Sequence, residues 1–224
     1  MELNQLTAQL QAVANPDDAK AMKAYMKNQF EFLGVKTPVR RKIAKAFFKS
    51  QADSHLDWDF VRQAWKVPYR ELQYAALDYL DSKKKLLQPE DLPRLKRLAQ
   101  SKSWWDTIDF LDRLVGSVIY RFPETQKIIL DWSRDEDFWL RRLAIDHQLL
   151  RKEETNTELL EQILLNNLGQ TEFFINKAIG WALRDYSKTN PDWVRDFIQK
   201  HGKEMAALSI REGSKYLLKK QQAK

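Results

Sequence analysis

Apolar residues recur along this chain at the i, i+3, i+4, i+7 spacing of a helix buried along one stripe, and four such stretches open on an aromatic residue. The openings are Tyr69-Arg70, Trp104-Trp105, Phe138-Trp139 and Phe173-Phe174, whose leading positions are 35, 34 and 35 residues apart. Leu72, Ala75, Ala76 and Leu80 form the first stripe, and Phe174, Ala178, Trp181 and Ala182 the last. Shorter apolar segments at 58–65, 90–99, 124–132 and 157–166 lie between them, so each period contains two helices.

A two-helix unit cannot bury its apolar face alone, so such units stack, and one helix of each pair lines a common surface. The predicted fold is all-α, a HEAT-like helical-repeat solenoid with a concave basic groove. It is a single domain over 1–224, with N-terminal helices in 1–50, repeats at about 55–88, 89–123, 124–156 and 157–190, and a capping repeat at 191–220. In the cap, Leu208 and Ser209 stand where the aromatic pair is expected, so a polar residue takes the place of a ring at 209. Residues 3–26 predict one or two helices. Phe32-Leu33-Gly34-Val35-Lys36-Thr37-Pro38 then predicts a turn, a Thr N-cap and a Pro that starts a helix over 38–49.

Composition narrows the chemistry. The chain has 224 residues, 43% hydrophobic and 31% charged, with only 6 Gly and 7 Pro, which is poor in the turns a sandwich or barrel needs. The absence of Cys excludes disulfides, thiolate nucleophiles, zinc fingers and iron–sulfur ligation. No secretory signal or apolar run of roughly 20 residues occurs, so a cytoplasmic protein without a membrane partner is expected. His55, His147 and His201 have no i, i+4 partner, and no glycine-rich phosphate loop is present, so neither a metal nor an organic cofactor is expected.

The net charge is +7 and unevenly spread: residues 1–50 hold 9 Lys+Arg against 4 Asp+Glu, whereas 101–150 hold 7 against 9. The basic balance favours a polyanion. Arg40, Arg41 and Lys45 on the 38–49 helix are candidate phosphate contacts, with Arg142, Lys177 and Arg184 further along.

The most informative segment is Ser103-Trp104-Trp105-Asp106-Thr107-Ile108-Asp109-Phe110. Trp105 and Asp109 are four residues apart and share a helix face, and Asp109 occupies the repeat position held elsewhere by Tyr74, Leu143 and Ala178. A carboxylate has thus replaced a mostly apolar position. Arg142 falls one period later, and Phe174 and Trp181 share a face one period beyond. Two roles for Asp109 follow from spacing: a group in an aromatic groove, or a structural ion pair with Arg142 across adjacent repeats.

With these motifs in place, the whole chain resembles bacterial DNA alkylation repair proteins of the HEAT-like AlkD type, which are alkylpurine DNA glycosylases. The resemblance rests on residues 32–38, on Trp104-Trp105-Asp106 with Asp109, on Phe138-Trp139-Leu140-Arg141-Arg142, and on 172–181 followed by Arg184-Asp185-Tyr186. It implies that Asp109 is the catalytic carboxylate, with Trp105 and Trp181 beside the damaged nucleotide. It also implies that Tyr25 is an N-terminal aromatic contact, that Arg142 holds DNA backbone, and that Lys36 lies in a DNA-contacting turn. The implied activity is removal of N3- or N7-alkylated purines, such as 3-methyladenine and 7-methylguanine, from duplex DNA by a monofunctional glycosylase acting as a monomer at the nucleoid. The alternative class is a noncatalytic scaffold or a binder of unusual DNA structures.

Overall fold

The computed structural model describes residues 1–50 and 55–222, with side chains as far as Leu217. Thirteen α-helices occur among the described residues, and the chain divides into two compact units, Met1–Leu87 and Gln88–Lys224. The division falls between the first and second predicted repeats.

The first unit contains α1 (Leu3–Gln11), α2 (Pro16–Tyr25), α3 (Thr37–Ser50), α4 (Trp58–Lys66) and α5 (Arg70–Ser82). Asn15 caps α2 by accepting from the N–H groups of Asp17 and Asp18, with Pro16 at the first position. The turn into α3 is held from inside: the buried Glu71 carboxylate accepts the N–H groups of Leu33, Gly34 and Val35 at 2.9–3.1 Å. Gly34 is required there, because its φ is +81° and a Cβ would lie 2.0 Å from the Asn15 carbonyl oxygen. Helix α3 starts one residue earlier than the sequence indicates. The Lys36 carbonyl accepts from Arg40 N–H, so Thr37 lies inside the first turn instead of capping it.

The second unit contains α6 (Leu92–Ala99), α7 (Trp105–Arg121), α8 (Gln126–Trp132), α9 (Phe138–Asp146), α10 (Thr157–Leu165), α11 (Phe173–Tyr186), α12 (Pro191–His201) and α13 (Ala207–Gln222). The aromatic-led positions are the starts of α7, α9 and α11, as the period predicts. Local chemistry fixes several of these starts. Asp137, Asn156, Glu172 and Asn190 each accept a backbone N–H at the head of α9, α10, α11 and α12. Helix α9 packs between α7 and α11, and α11 packs on α13. The last contact is close: a Cβ at Gly180 would lie 2.5 Å from the Glu212 Cβ. Ser209, at the polar substitution in the cap, is buried and donates to the Asn176 carbonyl at 2.8 Å. Its hydroxyl thereby satisfies a buried backbone carbonyl at a position where the other units carry an aromatic ring.

Candidate functional site

The first turns of α7, α9 and α11 meet through rings. The centroid of Trp104 lies 5.8 Å from that of Trp139 and 5.5 Å from that of Phe174, and those of Trp139 and Phe174 are 4.8 Å apart. Such pairs stabilise by area and by edge-to-face geometry, so Trp104, Trp139 and Phe174 are largely structural. The residues one turn further along project a different chemistry.

Asp109 lies one turn after Trp105 on α7 and keeps 21% of its side chain exposed. The Arg142 guanidinium, 1% exposed, grips it from α9: Nε and Nη2 each lie 2.8 Å from Asp109 Oδ1. Arg142 Nη1 donates to the Phe174 carbonyl of α11 at 2.7 Å, and its Cζ sits 5.1 Å from the Trp181 ring centroid. One arginine therefore ties three successive repeats together, and the inter-repeat ion pair anticipated from spacing is present. Burial pushes the Asp109 carboxyl above its ordinary range, and Arg142 pulls it back. Burial would likewise lower Arg142, but Asp146, Asp109 and Asp112 together hold it above its usual value.

Two further carboxylates lie behind this pair. Asp112 on α7 and Asp146 at the end of α9 are each 2% exposed, and Asp109, Asp112 and Asp146 bring one oxygen each within 4.8 Å of one another. Their signal in the sequence was an acid three residues after Asp109 and another four after Arg142, on stripes otherwise apolar.

A second charged group surrounds Trp181. Lys177 Nζ and Arg184 Cζ lie 5.9 and 6.0 Å from its ring centroid. Both cations bind the buried Glu212 of α13, at 2.9 and 3.1 Å, and Lys215 joins them at 2.8 Å. Hydrogen bonds from Lys215 and Lys177 hold the Glu212 carboxyl down at about 2. Glu212 and Lys215 escaped the sequence reading because the capping repeat departs from the aromatic pattern.

The remaining expected contacts belong to the first unit. Tyr25 is 69% exposed at the end of α2, Lys36 is exposed and reaches Asp18 at 3.1 Å, and Lys45 and Arg41 are exposed on α3. Two of the cations expected on DNA backbone lie inside instead. Arg40 is buried, bonded to Asp78 at 3.2 Å and stacked 4.7 Å over Tyr74, and Arg142 is consumed by Asp109 and Phe174. Helix periodicity told that both were basic but not which way each faced.

The family model for the DNA alkylation repair enzyme matches residues 6–217. A structure described as a predicted DNA alkylation repair enzyme from Enterococcus faecalis is 35% identical, covers 91% of this chain and 96% of its own, and superposes with a TM-score of 0.84. AlkD2 from Streptococcus mutans is 17% identical over 88% of this chain and 98% of its own, with a TM-score of 0.62. The smu.31 protein of Streptococcus mutans UA159 is 17% identical over 89% and 96%, with a TM-score of 0.56; at that identity both speak for the helical-repeat fold alone. No curated protein matches the chain.

Proposed function

The chain belongs to the DNA alkylation repair enzyme family, and from that premise we propose that it excises cationic N3- or N7-alkylated purines from duplex DNA by hydrolysing the N-glycosidic bond. Alkylation at either nitrogen leaves the base positively charged, so the C1′–N bond can break toward a neutral purine without protonating the leaving group. Positive charge then moves to the sugar. Water adds its oxygen to C1′ and loses a proton, leaving an abasic site and a free base.

An enzyme for this reaction must stabilise a cation that shifts by one bond. The observation that carries the reading is the partly exposed Asp109 carboxylate, fixed by Arg142, with Trp105 one turn earlier on its own helix and Trp181 against the same guanidinium. At about 4 Å and an effective dielectric near 20, a carboxylate stabilises a unit positive charge by about 4 kcal/mol, or about a thousandfold in rate if confined to the transition state. The carboxylate is also suited to take the proton of the attacking water. Indole faces beside the base add cation–π attraction. Lys177, Arg184 and Lys215, together with Lys36, Arg41 and Lys45 in the first unit, supply phosphate contacts; Tyr25 supplies an aromatic contact to the nucleotide. The enzyme works on chromosomal DNA in the cytoplasm, as a monomer and without a cofactor.

Incubation with alkylated duplex tests this directly. Release of free 3-methyladenine or 7-methylguanine, with an abasic strand left behind, is the expected result. Tight duplex binding without base release would favour a noncatalytic DNA binder.

A further inference from the structure

Charge around Arg142 does not balance. Arg142 spends Nε and Nη2 on Asp109 and Nη1 on the Phe174 carbonyl, and its nearest approach to Asp146 is 3.8 Å. One buried cation thus faces three carboxylates. Asp112 Oδ1 and both oxygens of Asp146 are buried with no hydrogen-bond partner, although each residue is only 2% exposed. Two adjacent buried carboxylates cannot both ionise at ordinary cost, and a carboxylate without a donor in the interior is expensive. A proton is the smallest ligand that supplies the missing donor.

We propose that Asp112 and Asp146 share one proton and so carry a single negative charge behind Asp109. This rests on the glycosylase reading, in which Asp109 meets the cationic nucleotide. Arg142 cancels the charge of Asp109; the buried pair restores a net negative charge to the group. Asp112 and Asp146 touch no substrate and act by setting the potential at Asp109.

The direction of titration agrees. Burial first, then Asp146 and Asp109, push the Asp112 carboxyl well above its ordinary range, and burial with the Asp109 charge moves Asp146 up to about 7 against the pull of Arg142. The charged groups facing the pair are Asp109 and Arg113 from α7 and Arg142 from α9. On the packed neighbours, Arg94 and Lys96 of α6 turn to Asp91 and Asp135, Lys177 and Arg184 of α11 turn to Glu212, and Glu161 of α10 turns to Lys200. Lys127 and Asp131 of α8 are exposed. Below neutrality the pair takes up a second proton, and the group loses its net charge.

The test uses the full chain and two readouts. Carbon-13 carboxyl titration by NMR should show an aspartate pair still holding a proton at pH 8 and taking up another near neutrality, with that signal gone in Asp146→Asn. Single-turnover excision of 7-methylguanine from a saturating duplex should rise roughly tenfold with pH across the same step. In Asp146→Asn, neutral at every pH, the rate should stay at the low-pH level. In Asp112→Asn, where the amide replaces the protonated acid, the rise should persist with its midpoint moved; this variant decides if Asp146→Asn does not fold. Two carboxylates ionised throughout pH 5–8, or occupation of the group by added Mn²⁺ seen as paramagnetic broadening of both carboxyl signals, would overturn the proposal. The titration stands even if no base is released, so failure of the pair and failure of the glycosylase reading are separable.

Discussion

The second unit holds two charged groups of opposite proportion, both in contact with α11. Around Arg142, three aspartates face one guanidinium; around Glu212, Lys177, Arg184 and Lys215 face one carboxylate. Both central groups are buried and hydrogen-bonded, but the surplus falls on opposite sides. In the first, carboxyls are pushed up and retain protons near neutrality; in the second, the carboxyl is held down at about 2 and stays ionised. An anionic surplus suits a reaction that builds a cation, and a cationic surplus suits a phosphodiester strand. Trp181 lies between them, 5.1 Å from Arg142 and about as far from the cations held by Glu212.

Removing the charge on the anionic side should produce the largest effect. Asp109→Asn keeps volume and an acceptor for Arg142, and its single-turnover excision rate should fall by up to about a thousandfold, as the charge estimate gives. Leaving a buried guanidinium without its partner costs up to about 3–5 kcal/mol, so urea unfolding must accompany the kinetics.

The two groups should next show opposite dependence of stability on pH. Glu212 is lowered in the folded state from 4.5 to about 2, so its contribution is present above pH ~4.5 and disappears as pH falls toward 2. It is on the order of 3 kcal/mol at most, reduced by solvent around the half-exposed lysines. Asp146 is raised from 3.8 to about 7, so its proton-linked contribution is intact below pH ~4 and is lost as pH rises through 7. Glu212→Gln should flatten the acid side of the stability curve and Asp146→Asn the neutral side, both followed by circular dichroism melts. Parallel slopes in the two variants would erase the distinction.

Trp181→Ala is a smaller perturbation at the border of the two groups. Cation–π attraction of about 1–2 kcal/mol predicts an excision loss of roughly tenfold, larger than any change in Kd for undamaged duplex. Equal losses in both would assign Trp181 to strand binding alone. The smallest effects belong to single surface cations of the first unit. Lys45→Ala or Arg41→Ala should each reduce the slope of log Kd against log salt by about one at most. Arg40→Ala should leave that slope intact and lower stability, since Arg40 is spent on Asp78 and Tyr74.

The repeat period was legible because every unit must bury one face, and that need repeats the spacing from Tyr69 to Phe173. Asp109 was legible for the complementary reason: it breaks that pattern. Its partner Arg142 was legible as a neighbour, one period on, but its depth was not, since burial of Arg142 and Arg40 depends on which way each helix is rotated. Asp112 and Asp146 were hidden because each looks like an ordinary helix acid until α7 and α9 are packed. Glu212 and Lys215 were hidden by the cap, where Ser209 stands in place of the aromatic residue that marks the other units.

The division between chemistry and binding is tested most directly by measuring the single-turnover rate and Kd on one defined 7-methylguanine duplex for Asp109→Asn and for the double variant Lys177→Ala/Arg184→Ala. The account predicts a collapse in rate at nearly unchanged Kd for the first, and a raised Kd with a near-normal rate at saturating DNA for the second. A folded Asp109→Asn protein that excises at the wild-type rate would contradict it.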